Sequence, residues 1–304
     1  MSLILSVFVS DILPIFVIAA IGYLLANRLQ ANVKTLSHVV FYALAPCFTF
    51  RMLIESKVGG PVAGRMALLA ILIAVVMGIL ARVAAVPLRL DRADLSGFLL
   101  VAMFSNGGNY GLPVVLFAFG NDALPHATVY FVISSILTNT VGVFLAAAGR
   151  RSVLRAIYGI TRIPALYGVA AAGVILATGA TVPVAFMRPI QLLGDAAIPV
   201  MILILGMQLE HATVPERPRM VATAVALSLV VAPIVALGLT KVLGLTGTAR
   251  EVGVVLASMP TAVITTILAL EFDTNPAFVT NVVFLTTVLS PLTLAPLIAY
   301  LMTR

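Results

Sequence analysis

Charge is scarce in this sequence. Asp, Glu, Lys and Arg make up only 10% of its 304 residues, whereas 62% are hydrophobic, and the mean hydropathy is +1.17. Soluble domains carry roughly 25% charged residues, and apolar runs of about 18 residues or more are typical of transmembrane helices. The composition therefore excludes a soluble globular domain and predicts an all-α, multi-pass protein of the lipid bilayer.

Other features are missing as well. The single cysteine, Cys47, excludes an internal disulfide, and His38, His126 and His211 do not have metal-ligand spacing. The sequence contains no Walker A pattern, no His-Glu-x-x-His pattern and no nucleic-acid signature. We therefore expect no metal, no cofactor, no nucleic-acid partner, no direct use of ATP and no enzyme activity.

Ten apolar stretches are long enough to be membrane spans. No Lys or Arg precedes the first stretch, whereas a signal peptide has basic residues before its apolar region, so we expect the first stretch to be a permanent span. Most of the 18 Lys and Arg residues fall in inside loops if the N-terminus is outside. We therefore predict a protein of the cell (inner) membrane with both termini non-cytoplasmic. The predicted spans are roughly 3–26, 35–54, 63–87, 95–119, 126–148, 163–179, 188–208, 218–243, 250–270 and 278–302.

The fourth span contains an unusual polar run, Phe104-Ser105-Asn106-Gly107-Gly108-Asn109-Tyr110-Gly111-Leu112-Pro113. Gly and Pro are the poorest helix formers, by about 1 and 3 kcal/mol relative to Ala. Irregular backbone is tolerated at membrane depth only where protein buries it or where it lines a watery cavity. The run therefore predicts a broken helix that faces a ligand, although a simple kink between closely packed helices is the alternative.

The two halves of the chain resemble each other. At a shift of 153 residues Pro46 falls on Pro199, and at a shift of 155 the segment 101–106 falls on 256–261, which contains Met259-Pro260-Thr261. Five spans per unit force the second unit to enter the membrane upside down, and paired interrupted helices mark the midplane site of many transporters. We predict a first repeat at 1–148, a cytoplasmic linker at 149–162 and a second, inverted repeat at 163–304.

With these features the sequence resembles the auxin efflux carrier family, whose fourth helix carries an Asn-x-Gly-x-Pro signature, here Asn109-Tyr110-Gly111-Leu112-Pro113. The resemblance implies a fold similar to bile-acid symporters and sodium/proton antiporters. In that fold helices 4 and 9 cross at their breaks in a transport domain of helices 3–5 and 8–10, and helices 1, 2, 6 and 7 form a scaffold. It also implies a homodimer. The short link between helices 5 and 6 differs from the long loop of plant members and favours a prokaryotic-type carrier.

The candidate binding residues are polar or lie at the two interruptions. Helix N-termini and amide side chains suit a carboxylate without a buried cation. The hydroxyls alone are more often bonded to their own helix, and Asn139 faces either the cavity or a neighbouring helix. The predicted substrate-binding residues are Ser105, Asn106, Gly108, Asn109, Gly111, Pro113, Ser134, Asn139, Ser258, Pro260 and Thr261.

Three residues outside the breaks complete the predictions. Asp195 is a carboxylate well inside a span, so burial predicts a role in proton coupling. The alternatives are a place near a helix end, hydrogen-bonded to backbone that Pro199 frees, or a position lining a wet vestibule. Pro46 and Pro199 are expected to break helices 2 and 7 of the scaffold.

Together these features predict a secondary transporter that moves a small organic anion, such as a carboxylate, a dicarboxylate or an auxin-like acid, by alternating access of an elevator type. The alternatives are a sodium- or proton-coupled symporter of the bile-acid type and an anion channel. A channel would need a continuous polar lining, whereas polarity here is concentrated at two interruptions.

Overall fold

The computed structural model describes residues 3–56, 58–147, 163–208 and 217–303, and this part of the chain is helical apart from turns. The predicted linker 149–162 lies outside the described residues. The helices are α1 (Leu3–Leu29), α2 (Val33–Ile54), α3 (Gly60–Ala84), α4 (Arg92–Met103), α5 (Gly107–Phe119), α6 (Asn121–Ala146), α7 (Pro164–Thr178), α8 (Val184–Met207), α9 (Pro218–Val242), α10 (Gly247–Ala257), α11 (Ile264–Phe272) and α12 (Pro276–Met302).

Seven of these helices, α1, α2, α3, α6, α8, α9 and α12, are long and apolar enough to cross a membrane, and α5 and α7 are shorter apolar helices. The fourth predicted span corresponds to the pair α4 and α5, which Phe104 to Asn106 separate. The ninth predicted span corresponds to the pair α10 and α11, which residues 258–263 separate. The long helices therefore surround two interrupted ones.

Polar side chains mark several helix starts. Asn32, Asp91 and Asn275 each accept a hydrogen bond from a backbone N–H in the first turn of α2, α4 and α12, at 2.8 to 3.0 Å. Asn and Asp are favoured at this position because they satisfy one of the N–H groups that a helix leaves without an internal partner. Local sequence therefore defines where these helices begin.

The expectation that prolines break the scaffold helices is wrong. The helix α8 continues through Pro199, and α2 continues through Pro46 after a π-helical turn at Val40–Leu44. A proline removes only one helical hydrogen bond, and the wider π turn provides room where its ring would otherwise clash with the preceding turn. Neighbouring helices hold the rest of each helix in place.

The helices α1 and α8 touch through their backbones, and each contributes a glycine. A Cβ atom on Gly22 would lie 2.1 Å from the carbonyl oxygen of Leu203, and one on Gly206 would lie 1.7 Å from that of Ala19. The helices α7 and α2 meet in a similar way, because a Cβ atom on Gly168 would lie 2.5 Å from a carbonyl oxygen of α2. These contacts join the first and second halves of the chain into one packed unit.

A buried carboxylate ties three helix ends together. Asp94, at the start of α4, is 4% exposed and pairs with Arg217, which immediately precedes α9. Asn275, in the turn between α11 and α12, donates from Nδ2 to the other carboxylate oxygen at 2.7 Å. The starts of α4, α9 and α12 therefore lie on one side of the molecule.

A second tie joins the start of α3 to the turn that follows α9. Arg65 in the first turns of α3 donates from Nη1 to the carbonyl oxygen of Gly244 at 3.1 Å. These two segments therefore meet at one end of the bundle. The start and the end of α9 thus contact different groups of helix ends.

Replacing Arg217 with Gln should destabilise the fold. The buried Asp94 carboxylate would keep its bond from Asn275 but lose its cation, and leaving a buried charged group poorly paired costs about 1–3 kcal/mol. We expect a lower midpoint of thermal unfolding in detergent. Arg219→Gln, an exposed arginine two residues away, is the matched control and should leave the midpoint unchanged. Equal midpoints for the two variants would contradict the prediction.

Candidate functional site

The two interruptions lie directly against each other. The Asn106 N–H donates to the carbonyl oxygen of Pro260 at 2.7 Å, and the Ala262 N–H donates to the carbonyl oxygen of Phe104 at 2.8 Å. Backbone groups that the broken helices leave without internal partners therefore find each other across the crossing. The exchange is reciprocal, since each segment gives one N–H and one carbonyl to the other.

Hydroxyl groups repeat this reciprocal pattern. Ser105 and Thr261 form an antiparallel bridge, and each hydroxyl reaches a backbone carbonyl of the opposite helix. The Ser105 Oγ donates to Leu256 at 2.9 Å, and the Thr261 Oγ1 donates to Val101 at 2.9 Å. Two residues predicted to bind substrate therefore hold the crossing together through their hydroxyls.

The Ser258 hydroxyl bonds within its own helix and not across the crossing. Its hydroxyl donates to the carbonyl oxygen of Val254 in its own helix at 2.7 Å, and its side chain is buried. Pro260 contributes the carbonyl that Asn106 binds. Both residues lie at the crossing, and their polar groups satisfy the backbone there.

The Asn106 side chain has a different environment. It is 5% exposed, and its Nδ2 amino group has no hydrogen-bond partner among the residues that the structure describes. Leaving a buried donor unsatisfied costs about 1–3 kcal/mol, which makes such a group a candidate for ligand contact. Asn109 is half-buried and lies one turn further along the chain. The helical turn that contains it, Gly107–Gly111, packs against α8.

Both helices that follow the interruptions begin at the crossing. The helix α5 starts at Gly107, and α11 starts at Ile264. A helix N-terminus presents N–H groups without internal partners and a partial positive charge of about +0.5. The crossing therefore combines two positive helix ends with an unsatisfied amide, an arrangement suited to an anion.

Glycines and a proline shape the start of α5. A Cβ atom on Gly108 would lie 2.8 Å from the ring of Phe131, and one on Gly111 would lie 2.6 Å from the Leu256 side chain. Pro113 is buried in the second turn of α5, directly after the π-helical turn Gly107–Gly111, whose wider backbone leaves room for its ring. These residues allow close packing of α5 against α6 and α10.

The polar residues Asn139 and Ser134 of α6 form hydrogen bonds within their own helix. The Asn139 Nδ2 donates to the carbonyl oxygen of Ser135 in its own helix at 2.9 Å. Ser134 is half-buried, and its carbonyl oxygen accepts the Thr138 hydroxyl at 2.8 Å. The sequence left open whether Asn139 faces the cavity or a neighbouring helix. Its Nδ2 group bonds within α6 instead.

A cavity of about 190 Å³ lies where α1, α2 and α8 face α5 and α6. Its walls include Phe48 and Phe117, and its polar groups come from Arg51, Asn121 and Asp195. Leu116 is also part of the wall and lies seven residues beyond Asn109, which is about 10 Å along a helix. The cavity and the crossing therefore share α5 and lie at different levels along it.

Asp195 lies in this cavity and not in the protein core. Its side chain is 66% exposed, and its carboxylate pairs with the Arg51 guanidinium. The expectation that Asp195 is buried is therefore wrong, because its position on α8 directs it to the cavity wall, in agreement with the alternative of a wet vestibule. Its role in proton coupling stays a prediction. Arg51 also binds Glu55 through Nε at 3.1 Å, and the Gln191 amide reaches Glu55 at 3.3 Å.

Comparison with known proteins gives the context for this geometry. The chain matches the model of the membrane transport protein family twice, over residues 7–159 and 150–298. The chain belongs to the membrane transport protein family. This is the auxin efflux carrier family that the sequence resembles, and the two successive matches agree with the repeat that the sequence suggests.

Two archaeal relatives in this family align with nearly the whole chain. An uncharacterized transporter of Methanothermobacter thermautotrophicus is 25% identical over 289 residues, which is 92% of this chain and 93% of the relative. An uncharacterized transporter of Methanocaldococcus jannaschii is 23% identical over 297 residues, which is 93% of this chain and 96% of the relative. Family and apolar helices together indicate a multi-pass membrane protein of a transporter family.

For a member of the membrane transport protein family, the cavity is the feature that the sequence did not predict. Arg51 and Asn121 were assigned to loops or span ends, although both line the cavity with Asp195. A usable signal was present, since an arginine near the end of one span and an aspartate inside another are expensive in a bilayer unless they pair. The pair joins α2 of the first half to α8 of the second.

Proposed function

We propose that this membrane transport family member is a secondary carrier of a small organic anion, which binds at the crossing of α4–α5 and α10–α11. The single observation that carries this proposal is the Asn106 Nδ2 group, which is buried at the start of α5 with no hydrogen-bond partner in the described part of the chain. A carboxylate oxygen would satisfy that donor, and the helix ends would stabilise its charge without a lysine or arginine.

The proposal includes ten membrane crossings in two inverted five-helix repeats. The reciprocal bonds at the crossing support it, because a two-fold axis through this point would relate each bond to the other. The contacts of the helix ends agree with alternating crossings, since Asp94, Arg217 and Asn275 fall on the side that the charge distribution assigns to the cytoplasm. Both termini are then non-cytoplasmic, in the cell membrane.

The working cycle follows from the way the helices divide. The packed unit of α1, α2, α7 and α8 would be the scaffold, and the interrupted helices with α3, α6, α9 and α12 would form the moving domain. The cavity lies along the boundary between these two groups, as expected for a carrier that opens by sliding one against the other. A homodimer through the scaffold and a coupling proton or sodium ion are parts of the same proposal.

A ligand screen on purified protein tests the site. Acids that bind the native state raise the midpoint of thermal unfolding, by an amount that grows with concentration above the dissociation constant. We expect at least one monocarboxylate, hydroxy acid, dicarboxylate or aromatic acid to do so, and Asn109→Ala to weaken its effect about tenfold or more by removing one amide. Stabilisation that is equal in both proteins would place the ligand elsewhere.

Counterflow in proteoliposomes separates a carrier from a channel. Vesicles loaded with the unlabelled acid should transiently accumulate labelled acid from outside, because a carrier exchanges one molecule for another. A channel would instead give flux that does not saturate and shows no counterflow. Either that behaviour or the formation of a chemical product would overturn the proposed function.

A further inference from the structure

The 190 Å³ cavity has a polar end and an apolar body. Phe48 and Phe117 contribute to its apolar wall, and Arg51, Asn121 and Asp195 supply its polar groups. The exposed fraction of the Asp195 side chain, 66%, means that the cavity is not sealed from its surroundings. A small molecule can therefore reach both charged groups while its carbon skeleton contacts the aromatic rings.

The Arg51 guanidinium is held in place but not saturated. Its Nε binds Glu55, and its Nη1 binds Asp195. In the described part of the chain these bonds leave the Nη2 amino group without a protein partner, although a guanidinium offers five N–H donors. With 22% of its side chain exposed, Arg51 is preorganised to receive a carboxylate at its remaining edge.

Asp195 is suited to the other end of a ligand. It gives one carboxylate oxygen, Oδ1, to Arg51, and the second oxygen can accept a hydrogen bond from a hydroxyl or an ammonium group. Ligand binding does not break the Arg51–Asp195 ion pair, because the ligand would bond to the atoms of each side chain that the pair leaves free. The ligand would thus carry a carboxylate and a hydrogen-bond donor close together.

The charge of this cluster determines how many negative charges the ligand has. Arg51 contributes one positive charge, whereas Glu55 and Asp195 each contribute one negative charge, so the cluster has a net negative charge. One carboxylate on the guanidinium is favourable, but a second carboxylate on the same ligand would face Asp195 and Glu55. The repulsion among these carboxylates opposes binding of a dianion, and solvent around the partly exposed Asp195 and Glu55 side chains reduces it without reversing its sign.

We propose that this cavity is an entrance binding site for a monocarboxylic acid that also carries a hydrogen-bond donor, with the carboxylate on Arg51 and the donor on Asp195. This inference rests on the proposed function, since the cavity shares α5 with the crossing and would receive the acid before it reaches Asn109 and Asn106. It narrows the substrate to hydroxy acids or amino acids that have one carboxylate group, and it disfavours dicarboxylates.

The test uses full-length purified protein and four probes of similar size: lactate, alanine, propionate and succinate. Dissociation constants are measured by calorimetry for the parent protein and for Arg51→Gln and Asp195→Asn. We expect lactate or alanine to bind the parent at least tenfold more tightly than propionate and succinate. Lactate and alanine share a carbon skeleton and differ in the donor, a neutral hydroxyl or a charged ammonium group. The order of their dissociation constants therefore shows which donor the site prefers.

The two variants have different expected effects. Arg51→Gln should weaken every carboxylate about tenfold or more, because it removes the charge-assisted bond. Asp195→Asn should remove the preference for the donor-bearing acid over propionate and should improve succinate binding. Arg188 is an exposed arginine of α8, the helix that contains Asp195, and it does not line the cavity. Arg188→Gln should therefore leave all four dissociation constants unchanged.

Each outcome separates this inference from the proposed function. If succinate binds the parent most tightly, or if Arg51→Gln leaves the affinities unchanged while Asn109→Ala weakens them, the entrance site is wrong and the crossing site stands. If the acids bind and respond to Arg51 but no counterflow occurs, the cavity site stands and the carrier is wrong. If none of the four acids binds, the entrance site is wrong, and the wider ligand screen with Asn109→Ala decides the crossing site.

Discussion

Gly206→Ala is expected to prevent stable folding. The new methyl group would lie 1.7 Å from the carbonyl oxygen of Ala19, and the atoms opposed to it are backbone atoms that cannot turn away as a side chain can. Overpacking of this kind costs about 1–3 kcal/mol even where the surroundings adjust, and here α1 and α8 would have to separate along their whole contact. We expect a sharp fall in the yield of monodisperse protein and in its unfolding midpoint.

Gly173→Ala is the matched control for this experiment. Gly173 also lies in a helix, α7, but a Cβ atom there would meet nothing within 4 Å. The same substitution should therefore leave the protein unchanged or stabilise it by about 0.5–1 kcal/mol, since Ala is a better helix former than Gly. If Gly206→Ala behaved like Gly173→Ala, the backbone contact between α1 and α8 would not exist in the native protein.

Asn106→Asp is expected to abolish transport. The substitution keeps the size of the side chain but replaces the free Nδ2 donor with an acceptor, and at neutral pH it adds a negative charge beside the proposed anion. Repulsion between two charges about 4 Å apart is about 4 kcal/mol at an effective dielectric constant of 20. A loss of at least about 100-fold in uptake of the labelled acid follows.

The pH dependence of this variant separates charge from shape. Acidification that protonates the introduced carboxyl group would return a hydrogen-bond donor and remove the repulsion, so part of the uptake should reappear as the pH falls. Asn27→Asp, the same substitution at an exposed position of α1, should transport like the parent at every pH. Wild-type uptake by Asn106→Asp at neutral pH would remove the anion from the crossing.

The interruptions could be predicted because their cause is local. Gly107, Gly108 and Gly111 together with Pro113 disfavour helix whatever surrounds them, and α4 ends at Met103, just before this run. The second interruption has only one proline, Pro260, and it was found by its alignment with the first. Composition and repetition are therefore sufficient to locate where helices end inside an apolar sequence.

The roles of individual side chains depended on the tertiary structure. Ser105 and Thr261 were predicted to bind substrate, yet their hydroxyls reach carbonyls of Leu256 and Val101, which are far away in sequence. Such partners follow from the way the two segments cross, which sequence spacing does not encode. A proline is similarly ambiguous, since Pro199 stays within a continuous helix that its neighbours support.

The position of Asp195 illustrates a further limit. Successive residues of a helix point about 100° apart, so a small rotation of α8 decides whether a side chain faces the core or a cavity. Ala197 and Ile198, two and three residues later, are buried, whereas Asp195 is largely exposed. Hydrophobic periodicity is a weak guide here, because both the lipid-facing and the protein-facing surfaces of the helix are apolar.

The bonds between the two interruptions also bear on the thermodynamics of the carrier. Because Asn106 with Pro260 and Ala262 with Phe104 tie the broken segments together, the anion site would travel as one rigid piece, with the same intrinsic affinity in both orientations. Equal affinity on the two sides leaves the direction of net flux to the gradients, because unequal affinities alone do not let any carrier accumulate its cargo. Net accumulation would require a second gradient, and without one the protein would bring the anion to equal electrochemical potential on the two sides.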